Sequence, residues 1–165
     1  FKFFAGHSLG EYSALVCSDS LKFEDALYLL HQRGTAMQEA VPVGLGSMSA
    51  VLGTKIDIIK ELISLNLSKD DVCEIANDNS DGQVIISGKK ESVERVEKVL
   101  KEKKIKSIQL KVSAPFHCTL MKPAAEYMTD KINNVEFKIP KHEIISNVTA
   151  DPITDPEVIK KFLIN

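Results

Sequence analysis

The residue types best suited to chemistry stand near the start of the chain. Gly6-His7-Ser8-Leu9-Gly10 places a serine between two glycines at the spacing of a nucleophile elbow. A turn of that kind forces strained backbone angles at the serine, and small residues on either side let the neighbouring strand and helix approach closely. It presents the hydroxyl at a helix N-terminus, where the Leu9 N–H can help hold an oxyanion. A second reading stays open: Ser8-Leu9-Gly10-Glu11 also fits a capping box, in which serine and glutamate only satisfy the first helical amides.

A serine of ordinary acidity needs a base, and the chain offers His7, His31, His117 and His142. His7 adjoins the serine and points away across the turn, while His31 and His142 stand among polar residues and are expected to be exposed. His117 follows a strand-like segment in the loop Ser113-Ala114-Pro115-Phe116-His117-Cys118, although a lone histidine is more often structural than catalytic. Arg33 is the third point. Phe23, Ala26, Leu27, Leu30, Gly34, Met37 and Val41 form one stripe at helical spacing, which puts Arg33 at the edge of the apolar face. An arginine there either snorkels to water or pairs bidentately with a carboxylate.

Other chemistries have little support. Cys17, Cys73 and Cys118 are odd in number and lack the C-x-x-C spacing of a metal or redox site, so no metal is expected and a reducing compartment is the simplest reading. Asn66-Leu67-Ser68 and Asn147-Val148-Thr149 match the glycosylation sequon, a tripeptide common by chance. With 21 basic and 23 acidic residues and a formal charge of −2, nothing favours nucleic acid or an anionic membrane. The longest apolar runs, such as Val84-Ile85-Ile86, are too short to span a bilayer.

The elements that must position these residues follow from periodicity. A short buried strand over Lys2 to Ala5 leads into the serine turn and a helix over Glu11 to Cys17, and a longer helix runs from Phe23 to Val41. Then come a strand at Met48 to Leu52, a helix at Ile56 to Leu65, strands at Val72 to Asn77 and Gln83 to Ser87, a helix at Glu91 to Lys103 and a strand at Ile105 to Val112. That order, βαββαβ, predicts a ferredoxin-like unit of two helices on a four-stranded antiparallel sheet. Asn79-Ser80-Asp81-Gly82 suits a hairpin between its two middle strands. A helix from about Leu120 to Ile132, a buried strand at Glu143 to Val148 and the start of a last helix within 151–165 complete the chain.

At 165 residues and 18.3 kDa, 44% hydrophobic and 27% charged, the composition is that of an ordinary globular sequence able to bury roughly two-thirds of its unfolded surface. It opens on Phe1 rather than Met, so the expectation is a piece of a longer protein.

Taken together, these motifs resemble the malonyl-CoA:acyl carrier protein transacylase family and the related acyltransferase domains of polyketide synthases. The run Gly6 to Leu15 is similar to that family's nucleophile motif, Gln32-Arg33-Gly34-x-x-Met37-Gln38 to its arginine motif, and Ala76-Asn77-x-Asn79-Ser80-x-Gly82-Gln83-x-x-x-Ser87-Gly88 to a hairpin of its small subdomain. Ser113 to His117 resembles its histidine loop and Ser146-Asn147-Val148-Thr149 its late strand. The resemblance implies an α/β fold: an α/β-hydrolase-like large domain over 1–45 and 113–165, incomplete here, with the ferredoxin-like subdomain over 46–112 inserted in it.

It further implies a malonyl transfer from malonyl-CoA to the phosphopantetheine thiol of acyl carrier protein in fatty acid biosynthesis, with no cofactor of the enzyme's own. Ser8 would be the nucleophile, His117 its base, Arg33 the partner of the malonyl carboxylate and Leu9 an oxyanion donor; Phe116 and Asn147 would lie beside the substrate. The family also carries a Gly-Gln-Gly-x-Gln loop before the serine and a glutamine beyond the last strand, neither of which occurs in these residues. Losing one oxyanion donor costs on the order of 3 kcal/mol, so the isolated piece is expected to be poorly active. A cytoplasmic monomer is expected, with organellar import left open. The alternatives are a polyketide synthase piece, a serine esterase, which Arg33 and the insert argue against, and a non-catalytic carrier-binding fragment.

Overall fold

In the computed structural model, which describes residues 1–164, a mixed α/β chain divides by its contacts into two units: Phe1–Ala36 with the stretch from Ala124 onward, and Met37–Pro123. Asn165, the end of the expected last helix, lies outside the described residues.

The first unit begins with β1 (Phe3–Ala5), α1 (Leu9–Cys17) and most of α2 (Phe23–Glu39), and resumes within α5 (Lys122–Asn133), followed by β6 (Glu143–Ile145), β7 (Pro152–Ile153) and α6 (Pro156–Ile164). Its sheet has the order β1-β6-β7, with β1 parallel to β6 and β6 antiparallel to β7. Tyr12, Leu15, Leu29, Ile132, Ile144 and Ile159 fill one core; cutting back a buried leucine or isoleucine of this kind to alanine costs about 2–5 kcal/mol. The face of α2 that enters this core overlaps the expected one only in part, through Ala26 and Leu30. Ala26, Leu29 and Ala36 are buried, while Phe23 and Leu27 are 60% and 53% exposed. The stripe 26-29-33-36 is as helical as the one through Leu27 and Leu30, and it puts Arg33 in the middle of the inward face rather than at its edge.

The second unit holds β2 (Gly46–Leu52), α3 (Ile56–Asn66), β3 (Cys73–Ser80), β4 (Gln83–Lys89), α4 (Lys90–Glu102) and β5 (Lys106–Gln109). The strand order is β3-β4-β2-β5, every neighbour antiparallel. Val51, Val84 and Ile86 on one face pack with Ile59 and Leu62 of α3 and Val93, Val96 and Leu100 of α4. Met48, Ala50 and Ile85 point to the other face, covered in part by Leu110 and Phe116. β2 and β4 are therefore buried on both faces, which accounts for their near-continuous apolar runs. The hairpin turn is tighter than expected: Ser80 pairs with Gln83, so only Asp81 and Gly82 remain in it, and Gly82 takes φ 76°. Asp71 anchors the loop before β3 by accepting from Ser68 N–H, Ser68 Oγ, Ser92 Oγ and Arg95 Nη1.

Candidate active site

β1 and β6 lie parallel with Ala5 opposite Ile145, so the segments that follow them leave the sheet at the same end. Carboxyl ends of adjacent parallel strands are where such sheets place their chemistry. After β1 comes the serine turn. Ser8 has φ 54° and ψ −110°, a backbone state that costs a non-glycine residue on the order of 1–3 kcal/mol and persists only when its surroundings impose it. Gly6 is one such imposition, because a Cβ there would fall on the Gly10 carbonyl. Two backbone bonds tighten the turn: Gly10 N–H to His7 C=O at 2.9 Å and Glu11 N–H to Ser8 C=O at 3.1 Å.

Ser8 is the N-cap of α1 by position, yet its side chain makes no capping hydrogen bond, so the capping box does not form. Its Oγ instead accepts from Arg33 Nη2 at 3.1 Å. The inward face of α2 thus delivers the guanidinium to the hydroxyl. Leu9 is the first residue of α1, where a helix leaves its N–H without an intrahelical acceptor.

The chain after β6 does not continue as the expected strand. Ser146 N–H donates to Asp151 C=O at 3.0 Å and Ala150 N–H to Ser146 C=O at 2.9 Å, with Ala150 at φ 59°. Residues 146–150 therefore form a turn back to β7, and Asn147 sits in it. Its carboxamide reaches the elbow on both sides of His7: Oδ1 accepts from Ser8 N–H at 2.9 Å and Nδ2 donates to Gly6 C=O at 2.7 Å. The Asn147 N–H donates to Glu11 Oε1 at 3.3 Å.

Glu11 had only a capping role in the sequence; here it is 6% exposed on the inner face of α1. Burial pushes its carboxyl above the usual carboxylate range, opposed by the hydrogen bonds from Asn147 and by the charge of Arg33. Tyr12, next to it, is raised by burial as well, and its hydroxyl is buried without a hydrogen-bond partner among the described residues. An acid on the same helical face as Tyr12, Ala14 and Leu15 is the signal from which Glu11 is recognisable in the sequence.

His117 and Phe116 belong to the second unit. His117 is half-buried at φ 58°. The loop that carries it is fastened to the small sheet: Phe116 packs on the Met48, Ala50 and Ile85 face, Pro115 lies so close to Gly46 that a Cβ there would overlap its ring, and Cys118 Sγ meets Pro115 C=O at 3.1 Å. Glu74 of β3 accepts from both Thr119 N–H and Thr119 Oγ1, at 2.8 and 2.7 Å. Of the other histidines, His31 is exposed as expected, whereas His142 is half-buried and meets Phe4 edge-on at 5.3 Å. The three cysteines are free thiols, and among the described residues no group of histidine, cysteine and acidic side chains is placed to hold a metal. No described helix is long and apolar enough to cross a membrane.

The acyl transferase domain family matches residues 2–164. Malonyl CoA-acyl carrier protein transacylase of Bacillus subtilis is 44% identical over 163 residues, covering 98% of this chain and 51% of that protein. Among solved structures, the malonyl CoA-acyl carrier protein transacylase of Coxiella burnetii is 40% identical with a TM-score of 0.95, over 99% of this chain and 52% of that one. A malonyl-transacylase in complex with its type II polyketide acyl-carrier protein is 39% identical with a TM-score of 0.94, over 99% and 53%. The chain spans about half the length of the curated relatives it matches. Since the match takes in the strained serine turn together with the arginine that reaches it, the chain belongs to the acyl transferase domain family.

Proposed function

We propose that the gene product carrying this chain transfers a malonyl group from malonyl-CoA to the phosphopantetheine thiol of an acyl carrier protein. The observation that carries this reading is the hydrogen bond from Arg33 to Ser8 Oγ. In a malonyl ester the free carboxylate stands roughly 4 Å from the serine oxygen, two carbon–carbon bonds beyond the carbonyl. A guanidinium at 3.1 Å from that oxygen is within reach of the carboxylate and can pair with it bidentately. An uncharged acetyl group has nothing to offer the same cation.

Ser8 attacks the thioester carbonyl and passes its proton to His117, while the Leu9 N–H faces the oxyanion. Collapse breaks the carbon–sulfur bond, and the proton on His117 leaves with coenzyme A. In the second half-reaction the carrier thiol gives its proton to His117, attacks the ester carbon, and the Ser8 oxygen recovers that proton. No bound cofactor enters this scheme. Phe116 is assigned to the acyl group's surroundings on the family resemblance, and Asn147 accepts a hydrogen bond from the Ser8 N–H. The β3-β4-β2-β5 order supports a ferredoxin-like reading of 46–112, inserted in an α/β-hydrolase-like domain that takes in 1–45 and 113–165. The names of the relatives support acyl carrier protein as the acceptor, and fatty acid biosynthesis in the cytoplasm, as a monomer, is the setting we assign.

Mass spectrometry of the full-length gene product after incubation with malonyl-CoA tests the reading. A malonyl adduct on Ser8, absent from Ser8→Ala and discharged by holo acyl carrier protein, is the expected result. Equal labelling of Ser8→Ala, or an adduct that only water removes, would overturn it.

A further inference from the structure

Ser8 holds a backbone conformation that its own residue type disfavours, with φ 54° and ψ −110°. Backbone bonds between residues 7 and 11 shape the turn, and the Ser8 N–H and the Gly6 C=O are two further polar groups of the same elbow. Both are taken by one side chain from far along the chain. Asn147 Oδ1 accepts from Ser8 N–H and Nδ2 donates to Gly6 C=O, so a single planar carboxamide spans the elbow on either side of His7. The plane is set in turn by the Asn147 backbone, whose N–H is tied to the buried carboxylate of Glu11 on α1.

We propose that Asn147 is a positioning residue for the nucleophile rather than a substrate contact: its carboxamide staples the serine turn, and Glu11 fixes the staple to the helix that the turn begins. The proposal rests on Ser8 being the nucleophile. The chemistry of the donor set supports it. The amide oxygen faces an N–H and the amide nitrogen faces a C=O, so an asparagine fits and an aspartate does not, having no donor for the Gly6 carbonyl. The turn at 146–150 exists because β6 stops at Ile145; had the strand run on, residue 147 would point along the sheet and miss the elbow. Taking the Ser8 N–H out of play also leaves the Leu9 N–H, one residue on, as the amide that faces a developing oxyanion.

The test is Asn147→Ala in the full-length gene product, read by single-turnover acylation with malonyl-CoA and acetyl-CoA and by hydrogen exchange at the Ser8 amide. A loosened nucleophile slows acylation by on the order of a hundredfold. Half-saturation by malonyl-CoA and the preference for malonyl over acetyl stay within about threefold of the parent, since binding and selection lie elsewhere. The Ser8 amide exchanges at least about tenfold faster, with the interior amides of α1 unchanged. Acylation within threefold of the parent overturns the proposal, and so does a loss carried by half-saturation or by malonyl preference, which marks a substrate contact. If the parent itself takes no malonyl group, the functional reading fails separately; the exchange rate at Ser8 then decides, unchanged exchange overturning the staple. Should the alanine variant not fold, Asn147→Asp serves: it keeps an acceptor for Ser8 N–H and loses the donor to Gly6, and acylation at the parent rate overturns the proposal.

Discussion

Arg33 Nη2 and Ser8 Oγ are 3.1 Å apart, so the cation proposed to select the acyl group and the oxygen proposed to receive it are in contact. Under that proposal, selection and bond formation share one geometry. Replacing Arg33 by alanine is expected to lower the malonyl-over-acetyl preference by about a hundredfold in a competition for Ser8, the scale of a charge-assisted pair. Lysine restores little, because a point charge cannot reproduce the planar fork. A competition ratio unchanged in Arg33→Ala would rule out the assigned role.

The two glycines of the elbow are not equivalent. A Cβ at Gly6 meets the Gly10 carbonyl, whereas one at Gly10 meets no atom within 4 Å. Gly6→Ala should cost about 1–3 kcal/mol as an overpacked contact between backbones. Gly10→Ala lies inside a helix and is expected to be neutral or stabilising by up to about 1 kcal/mol. Thermal melts of the two variants should separate clearly, and coincident melting curves would contradict the contact.

Glu11 makes the stability depend on pH in a definite direction. Its carboxyl is raised above the ordinary 4.5 by burial, against the pull of Asn147 and Arg33. The folded chain then holds this proton more tightly than the unfolded one, so this contribution to stability is full at acid pH and falls as pH rises from the ordinary value through the raised one. Glu11→Gln keeps a carbonyl to accept the Asn147 N–H and removes the titration. The variant should melt higher than the parent at pH 7, with the gap closing below about pH 4; a gap independent of pH would show that the charge is not the cause.

Thiol reactivity should discriminate among the cysteines. Cys73 is buried in β3, and burial, reinforced by nearby Cys118, Glu74 and Glu97, pushes its thiol up to about 12. Cys17 is exposed on α1. Iodoacetamide at pH 8 should alkylate Cys17 at least about a hundredfold faster than Cys73, because the thiolate is the attacking form. Peptide mapping that finds the two modified together would refute the burial of Cys73.

Much of the architecture was legible from periodicity. The βαββαβ order and the helices appear within a few residues of where alternation and helical spacing put them, because β2, β4 and α4 carry long patterns that only one packing satisfies. α2 is legible only in part: Ala26 and Leu30 of the expected stripe do meet the core, whereas Phe23 and Leu27 are exposed and Leu29 and Ala36 are buried in their place. Hydrophobicity alone could not choose between two stripes so close in angle, and the inward one contains an arginine. Asn147 stands out in the sequence through the family resemblance, as a residue beside the substrate, but its hold on the serine turn is not legible there. Its role depends on β6 ending early and on the parallel pairing of Ala5 with Ile145, a relationship between distant segments that no local pattern carries. Glu11 escaped because a capping box explained it locally.

The pairing of β1 with β6, Phe3 opposite Glu143, also orders events in time. Joining strands so far apart closes a loop of roughly 140 residues, whereas the second unit is one continuous stretch, Met37–Pro123, built largely from nearer contacts. Local contacts form first, and each doubling of an open loop adds only about 0.6 kcal/mol to a cost that must still be met before any long-range gain. In pulsed-exchange refolding, Ile86 should be protected before Ile144. On the ribosome the same relationship leaves the Ser8 N–H without its bond to Asn147 until the turn at 146–150 has emerged, well over a hundred residues after Ser8 itself.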